Sequence, residues 1–89
     1  MSLIKIQNLK NSDQYFYIDK INANKLEIQF NLTEKGKVWK ELGDILYNYS
    51  IGKETELNWN ISSEKFHFLR NLSNEKNIKK FTHKNQINI

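Results

Sequence analysis

Two histidines, His67 and His83, are the side chains best suited to hold a metal or move a proton. Neither has a second ligand at i+3 or i+4, so a metal site would need carboxylates brought in from a distance. Glu54 and Glu56 form one close pair of acids and Glu41 and Asp44 another. Each has a lysine or open solvent nearby, whereas general-acid work requires a carboxyl forced into an apolar pocket. Gly36, Gly43 and Gly52 are too scattered for a phosphate-cradling loop, and no serine sits in a nucleophile elbow. Cysteine is absent, which excludes disulfides, thiolate catalysis and every cysteine-containing zinc site. The residues point to a non-enzymatic chain with no metal and no cofactor.

What remains is chemistry of contact. Tyr15 and Tyr17 lie in a segment that is apolar on both faces of an extended chain, with Phe16 and Ile18 in the opposite phase. One of the two faces is surplus. Either helices cover it, or the tyrosines stand on an exposed sheet as a contact or stacking platform. Trp39 and Tyr47 fall about 70° and about 150° from the centre of a helical apolar stripe, which makes Tyr47 exposed and Trp39 a rim residue. Tryptophan and tyrosine at a rim are what binding hot spots are made of.

Charge adds a second kind of handle. Ten of the 14 basic residues and all ten acidic residues precede Lys76, so residues 1–75 are neutral. Lys76, Lys79, Lys80 and Lys84 then follow without an acid, beside Phe81 and His83. Attraction to phosphate would sit in that segment, with the aromatic rings free to stack on bases. Arg70 is the single arginine, which leaves little guanidinium for base-edge recognition.

These residues must be positioned by one small domain. A chain of 89 residues buries only about 60 to 65% of its unfolded surface. Its apolar share of 38% and charged share of 27% are those of a globular protein and not of a disordered tail. Leu3 to Leu9 and Gln14 to Ile21 read as strands joined by a turn at Lys10–Asp13. Lys25 to Leu32 alternates polar and apolar without a fault and reads as a third strand, with Leu26, Ile28, Phe30 and Leu32 inward. Between Thr33 and Ser50 the period changes: Val38, Leu42, Ile45, Leu46 and Tyr49 share one stripe of a helix that Thr33 can cap. Lys37 with Glu41 and Lys40 with Asp44 are spaced as ion pairs on its wet face. Gly36 and Gly43 each cost that helix about 1 kcal/mol against alanine.

Thr55 to Ile61 reads as a fourth strand with Leu57, Trp59 and Ile61 inward. Ser62 or Ser63 could then cap a shorter second helix burying Phe66, Leu69 and Leu72, although Phe66 and Phe68 alternate as a strand would. Asn85 to Ile89 could add a last strand or fray. The fold expected is therefore α+β: a small antiparallel sheet, made of a three-stranded N-terminal meander plus a fourth strand, packed on one main helix and a shorter second one. Residues 1–75 form the globular domain and residues 76–89 a basic C-terminal segment. The first residues lack the apolar run of a signal peptide, and no stretch approaches the ~18 apolar residues that cross a bilayer, so the expected setting is the cytoplasm without a membrane partner.

The function expected is a small protein-binding domain of inhibitor, immunity or adaptor type, docking through Trp39, Tyr47, Tyr15 and Tyr17 onto a larger partner. The alternative is a nucleic-acid-binding module gripping phosphates with Lys76, Lys79, Lys80 and Lys84 and stacking Phe81 and His83.

Overall fold

A computed structural model describes the backbone of residues 3–85 and the side chains of residues 3–74. Ile4 and Ile6 face one way along β1 (Ile4–Asn8), and the chain turns back at once into β2 (Asn11–Ile18). The two strands are antiparallel, with Ile4 opposite Ile18 and Ile6 opposite Phe16. The register slips between Gln7 and Asn8, where Asn11 to Gln14 bulge outward.

Asn8 holds this irregular corner. It is buried, and its amide donates to Gln14 Oε1 at 2.8 Å while its Oδ1 accepts from the Lys10 N–H at 3.0 Å and the Ser63 hydroxyl at 2.9 Å. The third bond ties the hairpin to the start of the last helix. Asn8→Ala strands three partners in a half-buried place, so it should cost about 2 kcal/mol. Urea unfolding will show this as a lower midpoint at unchanged slope.

Beyond β2 the chain departs from the expected meander. Lys25 to Leu32 is not a strand but most of α1 (Lys20–Asn31), whose N-cap Asp19 accepts from the Asn22 N–H at 2.8 Å. The alternating pattern arises because α1 is apolar on two opposite faces. On a helix a two-residue step is about 200°, so Leu26 and Phe30 point inward with Ala23 while Ile28 and Leu32 point out. Ile21, expected to close the second strand beside Tyr15 and Tyr17, belongs to the outward face of α1.

The single helix expected from Thr33 to Ser50 is two: α2 (Glu34–Val38) and α3 (Lys40–Ser50). Thr33 does cap the first, accepting from the Gly36 N–H at 2.9 Å. The break falls at Trp39, whose ψ of 52° leaves the helical range. Gly36 lies so close to the end of α1 that an added Cβ would sit 2.1 Å from the Phe30 carbonyl oxygen. The break re-phases the stripe: Leu42, Leu46 and Tyr49 are buried, whereas Val38 is thrown out to solvent. It also parts Lys37 from Glu41, and Lys37 pairs with Glu34 at 3.5 Å instead. Lys40 and Asp44 do pair, at 3.7 Å.

The helices carry the chain back across the core, so β3 (Asn58–Ile61) joins the sheet beside β1 and parallel to it. The sheet is thus three-stranded and mixed, in the order β2-β1-β3, and not a four-stranded antiparallel one. Trp59 is buried and Asn58 and Asn60 face out, but Leu57 precedes the strand and is exposed. The last helix, α4 (Ser63–Asn85), is the longest element and not a short one. Ser62 caps it through the Lys65 N–H at 3.4 Å, and it buries Phe66, Leu69 and Leu72 on a helical period that excludes the alternative hairpin. Ile87 and Ile89, expected in an added strand, lie outside the described residues. No helix of the described residues is long and apolar enough to cross a membrane.

One core results. Ile4, Ile6, Ile18 and Trp59 from the inner sheet face meet the buried sides of α1, α3 and α4, and Tyr49 packs edge-on against Trp59 at 5.8 Å. On the other side of the sheet, Tyr15 and Tyr17 are left open among the described residues.

Candidate functional site

The open face is built by strand alternation. Side chains at Lys5 and Gln7 on β1, Tyr15 and Tyr17 on β2, and Asn58 and Asn60 on β3 all point away from the core. Tyr15 and Tyr17 are 46% and 55% exposed, their rings 5.7 Å apart and edge to face at 74°. The Lys5 ammonium stands 4.5 Å from the Tyr15 ring centre, a cation on a π-face that fixes the ring's inner side. Gln7 pairs directly across from Tyr15, and Asn58 and Asn60 stand on β3, on the far side of β1 from the tyrosines.

Backbone pairing shapes the border of this face. Lys5 donates its N–H to the Leu57 carbonyl at 2.7 Å, so the odd positions of β1 turn toward β3. Lys5 with Tyr17 and Gln7 with Tyr15 are therefore the close, non-hydrogen-bonded pairs of the hairpin, and the peptide groups of both tyrosines point to the free edge of β2. The bulge at Asn11–Gln14, pinned by the Gln7 amide on the Ser12 carbonyl at 2.8 Å, keeps that edge from being long and flat.

Trp39 is elsewhere and differently used. It lies half-buried at the junction of α2 and α3, edge-on to Phe68 at 5.9 Å, which in turn meets Phe30 at 6.0 Å. The Lys35 and Lys65 ammonium groups stand over its ring at 4.6 and 5.6 Å. Lys35 is bound to Glu64 at 3.0 Å and Lys65 to Glu41, so Trp39 clasps α2 and α3 to α4. The Glu41 carboxyl is held below its ordinary range, first by the Lys65 hydrogen bond and then by its own backbone N–H. Tyr47 is 48% exposed on the outer flank of α3. The structure thus brings Tyr15 and Tyr17 together and leaves Trp39 and Tyr47 on the helical layer.

His67 is exposed and rests its ring on Phe66 at 5.3 Å. No three acidic or histidine side chains among the described residues gather in a way that could hold a metal. Burial, and after it the charge of Asp19, pushes the Tyr49 phenol up. The side chains of Lys76, Lys79, Lys80, Phe81, His83 and Lys84 lie outside those described, although the helical backbone of α4 runs through them.

Sequence reasoning missed the outward face of α1. Ile21, Ile28 and Leu32 are exposed along it, and its first turns border an open cavity of about 290 Å³ with Ser50 and Ile51 at the end of α3. A 100° projection started at Asp19 would have found this face; the faultless two-residue alternation hid it. No family model, curated protein or solved structure matches the chain.

Proposed function

We propose that this chain is a small non-enzymatic protein-binding domain, of inhibitor, immunity or adaptor type, that docks the open face of its sheet onto a larger partner. The observation that carries this is the Tyr15–Tyr17 pair, exposed on a face whose backbone is fixed by pairing and backed by the whole core. Tyrosine brings large contact area with only two torsions to freeze, and neighbouring amides adapt to either donors or acceptors. A net charge near zero over residues 1–75 matches an interface that works by shape and hydrogen bonding more than by steering.

The double substitution Tyr15→Ala with Tyr17→Ala is expected to leave the fold intact, because both rings are on the wet face. It should weaken capture of the partner from the source cell by more than 2 kcal/mol, roughly 30-fold or more. Nuclease treatment should leave that capture unchanged. Retained capture by the double variant would remove the proposal.

A nucleic-acid module is the second reading. It has in its favour the continuous helical backbone that spaces Lys76, Lys79, Lys80 and Lys84 at i, i+3, i+4 and i+8. Nuclease-sensitive capture that falls steeply with salt would select it.

A further inference from the structure

β2 ends the sheet. In the order β2-β1-β3 its outer edge has no neighbour, and β1 is the one element of the described residues that runs alongside it. Ile4 with Ile18 and Ile6 with Phe16 are the hydrogen-bonded pairs of the hairpin, so the peptide groups of Phe16 and Ile18 are engaged by β1. Those of Tyr15 and Tyr17 point outward, leaving two N–H and two C=O groups unmatched on the edge. This free run is short: the bulge at Asn11–Gln14 bounds it on one side and α1, starting at Lys20, on the other. It therefore accepts one short strand and does not template a growing sheet.

Within that run the sequence is the same in both directions: Tyr15, Phe16, Tyr17. Two antiparallel copies related by a two-fold axis at Phe16 set Tyr15 of each opposite Tyr17 of the other. Both pairs are of the hydrogen-bonded kind, so four N–H···O=C bonds match every free group of both edges. Side chains keep their faces in this register: the four tyrosines line up on the open face, and Phe16 meets its counterpart on the core side. Phe16 is only half-buried there, although it packs on Phe66 at 5.6 Å, and a neighbouring strand covers what the protomer leaves open. No charge lies between Gln14 and Ile18. The like charges that the register brings together are Asp13 and Asp19 at its two ends, and Asp19 is turned back to accept from the Asn22 N–H at 2.8 Å.

We infer that β2 pairs with β2 of a second copy of this chain, antiparallel and two-fold symmetric, into one continuous sheet with three strands from each copy. The palindrome selects a second copy over an unrelated strand, because an identical strand gives an aromatic pair at all three positions, whereas a strand of ordinary alternation places apolar side chains on one face alone. The tyrosine rings stay on the open face, so the inference stands whether or not that face docks a partner.

The test is sedimentation of the full chain from about 1 μM to about 1 mM, with amide hydrogen exchange at both ends of that range. A monomer–dimer equilibrium is expected. The Tyr15 and Tyr17 amides should exchange fast when dilute and slowly when concentrated, while the Phe16 and Ile18 amides, bonded to β1, stay protected throughout. Tyr17→Pro removes an N–H that the protomer does not use, and an edge strand tolerates it, so it should keep the Phe16 and Ile18 protection and weaken the dimer roughly a hundredfold. Tyr17→Ala keeps that N–H and should weaken it only about fivefold. Asp13→Lys, which faces Asp19 of the second copy, should tighten it about tenfold. Exchange of the parent chain decides the matter should the proline variant fail to fold. A monomer at every concentration, a dimer whose Tyr15 and Tyr17 amides still exchange fast, or a dimer that Tyr17→Pro and Tyr17→Ala weaken equally would each overturn the inference. Protection of those two amides only when a different protein is bound would also overturn it, and would assign the edge to that partner's strand.

Discussion

Gly36→Ala should destabilise the protein by about 3 kcal/mol or more, against the sign that helix propensity alone gives. Within an exposed helix the substitution gains about 1 kcal/mol, because glycine loses more chain entropy than alanine on folding. Here the added methyl would sit 2.1 Å from the Phe30 carbonyl oxygen and 2.9 Å from the Asn31 Cα. Both are backbone atoms at the end of α1, and neither can move without shifting the turn that Thr33 caps. That turn in turn carries the hydrogen bonds from Thr33 to the Phe30 carbonyl and from the Gly36 N–H to Thr33. Gly43→Ala is the matched control. Its methyl would meet only the Asn31 side-chain oxygen at 2.8 Å, the end of a movable amide, and ordinary contact with the Phe30 ring at 3.7 Å. The propensity gain and the small displacement offset one another, so this variant should stay within about 0.5 kcal/mol of the parent. Parallel urea melts of the two variants separate the accounts at once.

Phe66→Ala should cost about 3 to 5 kcal/mol. Phe66 is fully enclosed, meets Phe16 on β2 at 5.6 Å, and belongs to the first turns of α4. α4 depends on that anchor more than a helix of its length suggests. Its apolar residues thin out beyond Leu72, so docking rests on Phe66, Leu69, Leu72 and the half-buried Phe68. Loss of Phe66 opens a cavity beneath both the hairpin and the helix. Thermal unfolding will show the loss, and Phe66→Leu should recover most of it by refilling the space.

The period of apolar residues made much of this legible. Ile4 and Ile6 on β1, Leu42, Leu46 and Tyr49 on α3, and Phe66, Leu69 and Leu72 on α4 are buried where their spacing places them. Thr33 and Ser62 cap where serine and threonine before a helical period should. Lys25 to Leu32 misled because a helix apolar on two sides produces the two-residue alternation of a strand, and alternation alone does not distinguish them without the cap at Asp19. The parallel partner of β1 was hidden for a different reason: strand order depends on how α1 and α3 pack, which is a long-range fact. The break at Trp39 comes three residues after Gly36 meets the end of α1, a contact between segments that local periodicity does not carry. Of the contact residues, Tyr15 and Tyr17 were marked by an apolar character on both faces of one strand. The alternative in which they stand exposed is the one realised, at 46% and 55% exposure. Trp39 was marked by type and spacing as a rim residue, but the two lysines over it and Phe68 beneath it turn it into a clasp.

The most direct measurement is amide hydrogen exchange and side-chain footprinting of the chain in complex with the partner it captures. Protection of Tyr15, Tyr17, Gln7, Asn58 and Asn60, with Trp39 unchanged, is the result predicted. Protection that avoids the sheet face while the partner remains bound would contradict the account.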